Sequence, residues 1–271
     1  MHPIEHLRYV ARSRGVDATS LVREAAVALA SLRADHANLV IACRRIVERH
    51  PTVAPLWWMS ARLLLADDPA STAWELADEI EDDRVARGVA AAIPDGATVV
   101  TIGWPQDAGD ALMRRPDVAV RCADADHEAS AFLQRLERAE VAADPVRAES
   151  LARALADADL AMIDAGAVSS SRLLAPLGSH VLAAVARSLD VPVWLVVGTG
   201  RRLPPEYVDE IVARTACERD EWGADWDADH DVVPLDLITH VADADGVVPI
   251  GSAALRPDAP FAPELLRVSP I

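Results

Sequence analysis

Apolar residues recur at intervals of three and four from Leu7 to about Ala92, the spacing that puts them on one face of a helix. Thr19 or Ser20 can cap a first helix through Leu29. A second spans Leu39 to Val47 and stops before His50-Pro51, because the residue ahead of a proline is pushed out of helical geometry. A third covers Leu56 to Leu65 and ends near Asp67-Asp68-Pro69. A fourth, capped by Ser71 or Thr72, has a pattern that continues to Ala92. After the turn signal Pro94-Asp95-Gly96 the period changes. Ala97–Ile102, Val118–Cys122, Leu160–Ile163 and Val193–Val197 are short, largely apolar runs that read as strands. Between and after them lie helical patterns at His127–Arg138, His180–Leu189 and Glu206–Arg214, the last opened by Pro204-Pro205. Fully apolar strands alternating with helices indicate a parallel sheet covered on both faces. The expectation is an α/β fold: a helical N-terminal domain, residues 1–93, followed by a Rossmann-like parallel-sheet domain, residues 94–271.

Charge sharpens this picture. The 271 residues carry 26 Lys+Arg against 43 Asp+Glu, a formal charge of -17, and every one of those cations is arginine. Such a field repels phosphate backbones, so direct nucleic-acid binding is not expected. A chain without lysine has no Schiff-base nucleophile, no pyridoxal-phosphate anchor and no Walker A lysine. Aspartate-rich surfaces with arginine in place of lysine fit a GC-rich, salt-adapted source. Cys43, Cys122 and Cys217 are odd in number and far apart, which argues against a disulfide framework or a CxxC metal site. Met1–His6 does not read as a signal peptide, and the longest apolar runs fall short of the roughly 18 residues of a membrane span. A cytoplasmic, soluble protein is expected, with no membrane partner, no metal and no cofactor.

Local motifs do not supply an active site. Gly198-Thr199-Gly200 follows a buried strand, but Leu203 stands where a dinucleotide fingerprint needs its third glycine; a plain β–α turn is the better reading. Asp225, Asp227, Asp229 and Asp231 alternate ahead of Asp236, yet His230 holds the glycine position of a calcium loop, so a solvated acidic loop is favoured. His2 and His6 lack a third ligand nearby in sequence. Trp57-Trp58 lies on an otherwise apolar helix and reads as core rather than as a stacking platform.

The order of several segments resembles the alpha/beta/delta subunits of translation initiation factor 2B and their sugar-phosphate isomerase relatives. Ser13-Arg14-Gly15-Val16 before an Ala-rich helix looks like that family's Arg-Gly-Ala segment. Arg49-His50-Pro51-Thr52-Val53-Ala54, then Ser60-Ala61-Arg62, is similar to its Arg-Pro-Thr-Ala-Val…Asn-Ala-Val-Arg stretch. Ala175-Pro176-Leu177-Gly178-Ser179-His180 occupies the place of its Asn-Lys-Ile-Gly-Thr segment. Pro234–His240, ending at Asp245-Gly246-Val247-Val248, is close to its terminal Pro-Pro-Glu-Leu-Ile-Thr…Glu-Gly-Val. The resemblance covers nearly the whole chain.

The isomerase relatives act on ribose 1,5-bisphosphate or methylthioribose 1-phosphate. They use a cysteine after the first α/β strand and an aspartate in a Gly-Ala-Asp segment, an acid and a base for moving hydrogen between adjacent carbons. Here the first loop reads Thr101-Ile102-Gly103-Trp104-Pro105-Gln106, without a thiol. Counting back from Gly178 puts Ala165 at the acidic position, and one inserted residue restores Asp164. Ala175-Pro176 replaces the Asn-Lys pair. The resemblance therefore implies a binding or regulatory protein that senses a phosphorylated sugar or nucleotide, with an isomerase using Asp164 as the alternative. Arg14, Gly15, Thr52, Gly178, Ser179 and Arg201 are the candidate phosphate-binding residues, since an arginine fork and a helix start both favour an anion. A homodimer is implied by resemblance.

Overall fold

The computed structural model describes residues 18–31, 36–124, 129–217 and 229–267. These residues form two compact units, one within Met1–Asp83, Thr199–Glu218 and Arg256–Ile271, the other within Arg84–Gly198 and Arg219–Leu255.

The first unit is helical. Helices α1 (Ala18–Ala30), α2 (His36–Arg49), α3 (Ala54–Leu64) and α4 (Pro69–Glu81) pack together, joined by α10 (Pro205–Cys217) from later in the chain. Helix α3 is buried on almost every side, with Trp57 and Trp58 fully enclosed, so the tryptophan pair is core. The Trp57 indole donates to the Pro51 carbonyl at 2.9 Å and its ring lies 5.3 Å from that of Tyr207 on α10. The cap of α4 is Asp68 rather than Ser71 or Thr72: its carboxylate accepts from the Ala70 and Ser71 amides, with Pro69 at the first helical position. The Gly198-Thr199-Gly200 turn has a steric reason for its last glycine. Gly200 sits at φ +75°, and a Cβ there would come within 3.0 Å of the Trp58 ring.

The second unit opens with α5 (Val85–Ala92), which is a separate helix and not the continuation of α4. Its Val85, Val89 and Ala90 join the core beneath the sheet. Gly88 brings α5 against the backbone of residues 243–244, where a Cβ would stand 2.5 Å from carbonyl oxygens. The C-terminal carbonyls of α5 and its following turn are collected by Arg115, which donates to Ala90, Ile93 and Pro94 while paired with Asp117 at 2.7 Å. The main sheet runs β10 (Gly246–Pro249), β9 (His240–Asp243), β7 (Val193–Val196), β4 (Leu160–Asp164), β1 (Thr98–Ile102), β2 (Ala119–Ala123), β3 (Ala142–Val146). All neighbours are parallel except the terminal β10–β9 pair. A small antiparallel sheet, β5 (Ala167–Val168), β6 (Leu173–Pro176) and β8 (His230–Val233), stands beside it. Helices α6 (Asp107–Leu112), α7 (Ala129–Arg138), α8 (Leu151–Leu155) and α9 (Ser179–Ser188) complete the unit. The expected helical region followed by a mostly parallel, helix-covered sheet is what the structure shows.

Candidate functional site

In an open α/β sheet, ligands lie beyond the carboxyl ends of the strands where the strand order reverses. That point falls between β1 and β4, since the chain builds outward to β2 and β3 on one side and to β7 and β9 on the other. Asp164 is the last residue of β4 and only 6% exposed. Its carboxylate faces the loop after β1. Oδ2 accepts from the Gln106 and Asp107 amides at 2.5 and 3.1 Å, and Oδ1 accepts from Ala108 at 2.9 Å. A carboxylate held by three backbone donors at a helix start is a fixed structural anion.

The same loop is held from its other side. The Gly103 amide donates to the Ala123 carbonyl at 2.9 Å, and Gly103 takes φ +65° to make the turn. The Cys122 thiol, buried beneath β2, donates to the Gly103 carbonyl at 3.4 Å. Burial, then the nearby Asp124 charge, pushes its pKa up to about 12. Such a thiol is neutral at physiological pH and is no nucleophile. Trp104 packs edge-on against Phe132 at 6.4 Å beneath the Arg135 guanidinium, and Arg135 also pairs with Asp110. The loop after β1 is therefore a braced, apolar-backed turn.

The predicted phosphate-binding residues are distributed over both units. Arg14 and Gly15 lie outside the described residues. Thr52, in the turn between α2 and α3, and Arg201, after β7, are half-buried in the first unit. Gly178 and Ser179 are in the second, where Gly178 at φ 87° caps α9. The Ser179 hydroxyl is buried with no hydrogen-bond partner among the described residues. Beside it, the His180 amide donates to the Asp231 carboxylate at 3.0 Å. The α9 start thus already has one carboxylate of its own. Sequence reasoning had placed Asp231 in a solvated acidic loop; its partner lies 51 residues away, so no local pattern marks it. Asp229 and Asp231 are described, whereas Asp225 and Asp227 lie outside the described residues. Among the described residues no cluster of His, Cys, Asp and Glu could hold a metal ion, and no helix is long and apolar enough to cross a membrane.

These features define an α/β protein with a helical N-terminal region and a structurally committed switch-point carboxylate. Neither a protein-family model nor a curated protein sequence matches the chain. Solved structures do. Translation initiation factor eIF-2B from Pyrococcus horikoshii OT3 superposes with a TM-score of 0.73 at 17% identity, over 91% of this chain and 96% of that one. For eIF2B beta from Chaetomium thermophilum the TM-score is 0.68 at 19% identity, over 91% and 86%. The tetrameric eIF2B-beta2-delta2 complex of C. thermophilum gives 0.72 at 17%, over 91% and 90%. The fold of this chain is that of the eIF2B alpha/beta/delta-type subunits, as the segment order implied.

Proposed function

We propose that the protein is a non-catalytic, initiation factor 2B-like subunit that binds a phosphorylated sugar or nucleotide and acts by association rather than turnover. The observation that carries this reading is the engagement of Asp164. The carboxylate that would have to exchange protons with a substrate is instead held by three backbone amides, and the Cys122 thiol on β2, beyond β1, is buried and neutral. The Ser179 hydroxyl, buried without a hydrogen-bond partner among the described residues at the Gly178-capped start of α9, supports retention of a binding role there. The likeness to subunits of a tetrameric assembly supports association with a second copy.

Two measurements test this. Ribose 1,5-bisphosphate and methylthioribose 1-phosphate should show no isomerisation; turnover that vanishes in Asp164→Asn would overturn the reading in favour of an isomerase. Thermal unfolding with ribose 1,5-bisphosphate or AMP should move upward by mass action, and Ser179→Ala should reduce that shift. No shift with any phosphorylated sugar or nucleotide refutes the sensing role. Light scattering should return the mass of a dimer.

A further inference from the structure

Helix α9 starts at Gly178, φ 87°, with no side-chain cap of its own. The Leu182 amide closes onto the Gly178 carbonyl at 3.0 Å, so the amides before it must find acceptors outside the helix. Strand β8 supplies two acceptors at this turn. The Asp229 carbonyl accepts from the Leu177 amide at 3.1 Å, and the Asp231 carboxylate accepts from the His180 amide at 3.0 Å. A helix terminus favours an anion, and here the anion already in place belongs to the chain itself.

One group at this start is left over. Ser179, the first residue of α9, is 1% exposed, and its hydroxyl has no hydrogen-bond partner among the described residues. A buried hydroxyl without a partner is costly, and a ligand atom or a rearranged state relieves it. The strand beside it is held lightly. Within the small sheet β8 is an outer strand, paired on one side only, with β6. Its first residue, His230, stands opposite Pro176, which has no N–H to give to the ladder. Asp231 is half-buried, and its bond to His180 is exposed to solvent. Strand β8 is thus most weakly held at the end that carries the carboxylate.

We propose that Asp231 is a built-in competitor for a phosphate site at the α9 start. Its carboxylate occupies the helix terminus when no ligand is bound, and a ligand phosphate enters by displacing it and freeing the first residues of β8. The inference rests on the reading of Gly178 and Ser179 as phosphate-binding. Two anions at one helix terminus repel each other, so phosphate and carboxylate exclude one another there. The incoming phosphate gives the Ser179 hydroxyl the acceptor it lacks. Ligand binding is thereby coupled to the small sheet, whose β8 edge is held in the empty state and released in the bound one.

Calorimetric titration of AMP and of inorganic phosphate into the full-length protein and its Asp231→Asn variant supplies the test. Asparagine keeps the size and a neutral acceptor for the His180 amide but removes the competing charge. If the parent site is open about one time in ten, both probes should bind the variant about 10-fold more tightly. Adding Ser179→Ala to that variant should remove most of the gain. In the parent, hydrogen exchange with saturating AMP should quicken at the β8 amides and slow at 179–181. Equal affinities of parent and variant, a gain that survives Ser179→Ala, or β8 amides unmoved by bound AMP overturn the proposal and leave phosphate sensing standing. Binding to Asp231→Asn alone upholds the proposal and refutes sensing by the natural chain. No binding to either protein overturns both. Near-ultraviolet circular dichroism checks that the variant is folded; should it not be, exchange in the parent decides.

Discussion

Replacing Asp164 probes the carboxylate on which the functional reading rests. Asp164→Ala removes the acceptor for three amides, of which the Ala108 bond is buried and those of Gln106 and Asp107 are partly buried. A buried donor left unpaired costs about 1–3 kcal/mol, and a partly buried one recovers some of that from water. The sum is a destabilisation of about 3 kcal/mol, above the roughly 1 kcal/mol of an ordinary helix cap. Asp164→Asn keeps the volume and, with its oxygen at the Oδ2 position, the Gln106 and Asp107 bonds, but it turns an NH2 toward the Ala108 N–H and removes the charge, so about 2 kcal/mol should be lost. Urea unfolding at neutral pH, followed by tryptophan fluorescence, measures both, since Trp104 rides on the clamped loop and Trp194 lies in β7 of the same unit. Hydrogen exchange locates the effect: amides 106–108 should exchange much faster in the alanine variant, while those of β2 stay protected. An asparagine variant within 0.5 kcal/mol of the parent, or unchanged exchange at 106–108, would refute the structural assignment and return Asp164 to the list of groups free for chemistry.

Three further outcomes follow from the same structure. Arg115→Ala should destabilise the second unit by about 2–3 kcal/mol in chemical denaturation, because three carbonyls at the end of α5 lose a charged donor that is itself largely buried. Gly88→Ala should be worse than Gly200→Ala: the first drives a Cβ to 2.5 Å from backbone oxygens, while the second meets a side-chain ring at 3.0 Å at the cost of a positive φ; melting temperatures rank them. Burial holds the His230 pKa below its ordinary 6.5 against the pull of Asp229 and Asp231, so the unfolded chain binds the proton more readily than the folded one. The stability that depends on neutral His230 should be fully present above about pH 6.5 and decline as the pH falls below it, and His230→Gln should flatten that slope in pH-dependent unfolding.

Much of this molecule is written locally. The switch from a three-and-four period to short apolar runs reflects burial on one helix face or on both sheet faces, and that geometry repeats within a few residues. It located β1, β2, β4 and β7 and helices α7, α9 and α10 to within a few residues, together with the helices of the first unit, but not the short α6 and α8. Where packing is one-sided the pattern fails. Strand β3, Ala142–Val146, contains Asp144 and Pro145 and is largely exposed at the sheet edge, so nothing apolar announces it. The small sheet is similarly obscure, since β8 begins in the acidic His230-Asp231 stretch. The break between α4 and α5 was invisible because both sides keep a helical period; what separates them is that α5 joins the core beneath the sheet. Functional placement lies further still from local sequence. Asp164 meets Gln106 across 58 residues, Asp231 meets His180 across 51, and Tyr207 meets Ala262 across 55. A carboxylate or hydroxyl at such a position reads the same whether it awaits a substrate or grips a backbone amide. Sequence determined the period of burial and hence the elements; only the tertiary structure, by choosing which distant amides face each polar group, decided that Asp164 is a clamp and Tyr207 a grip.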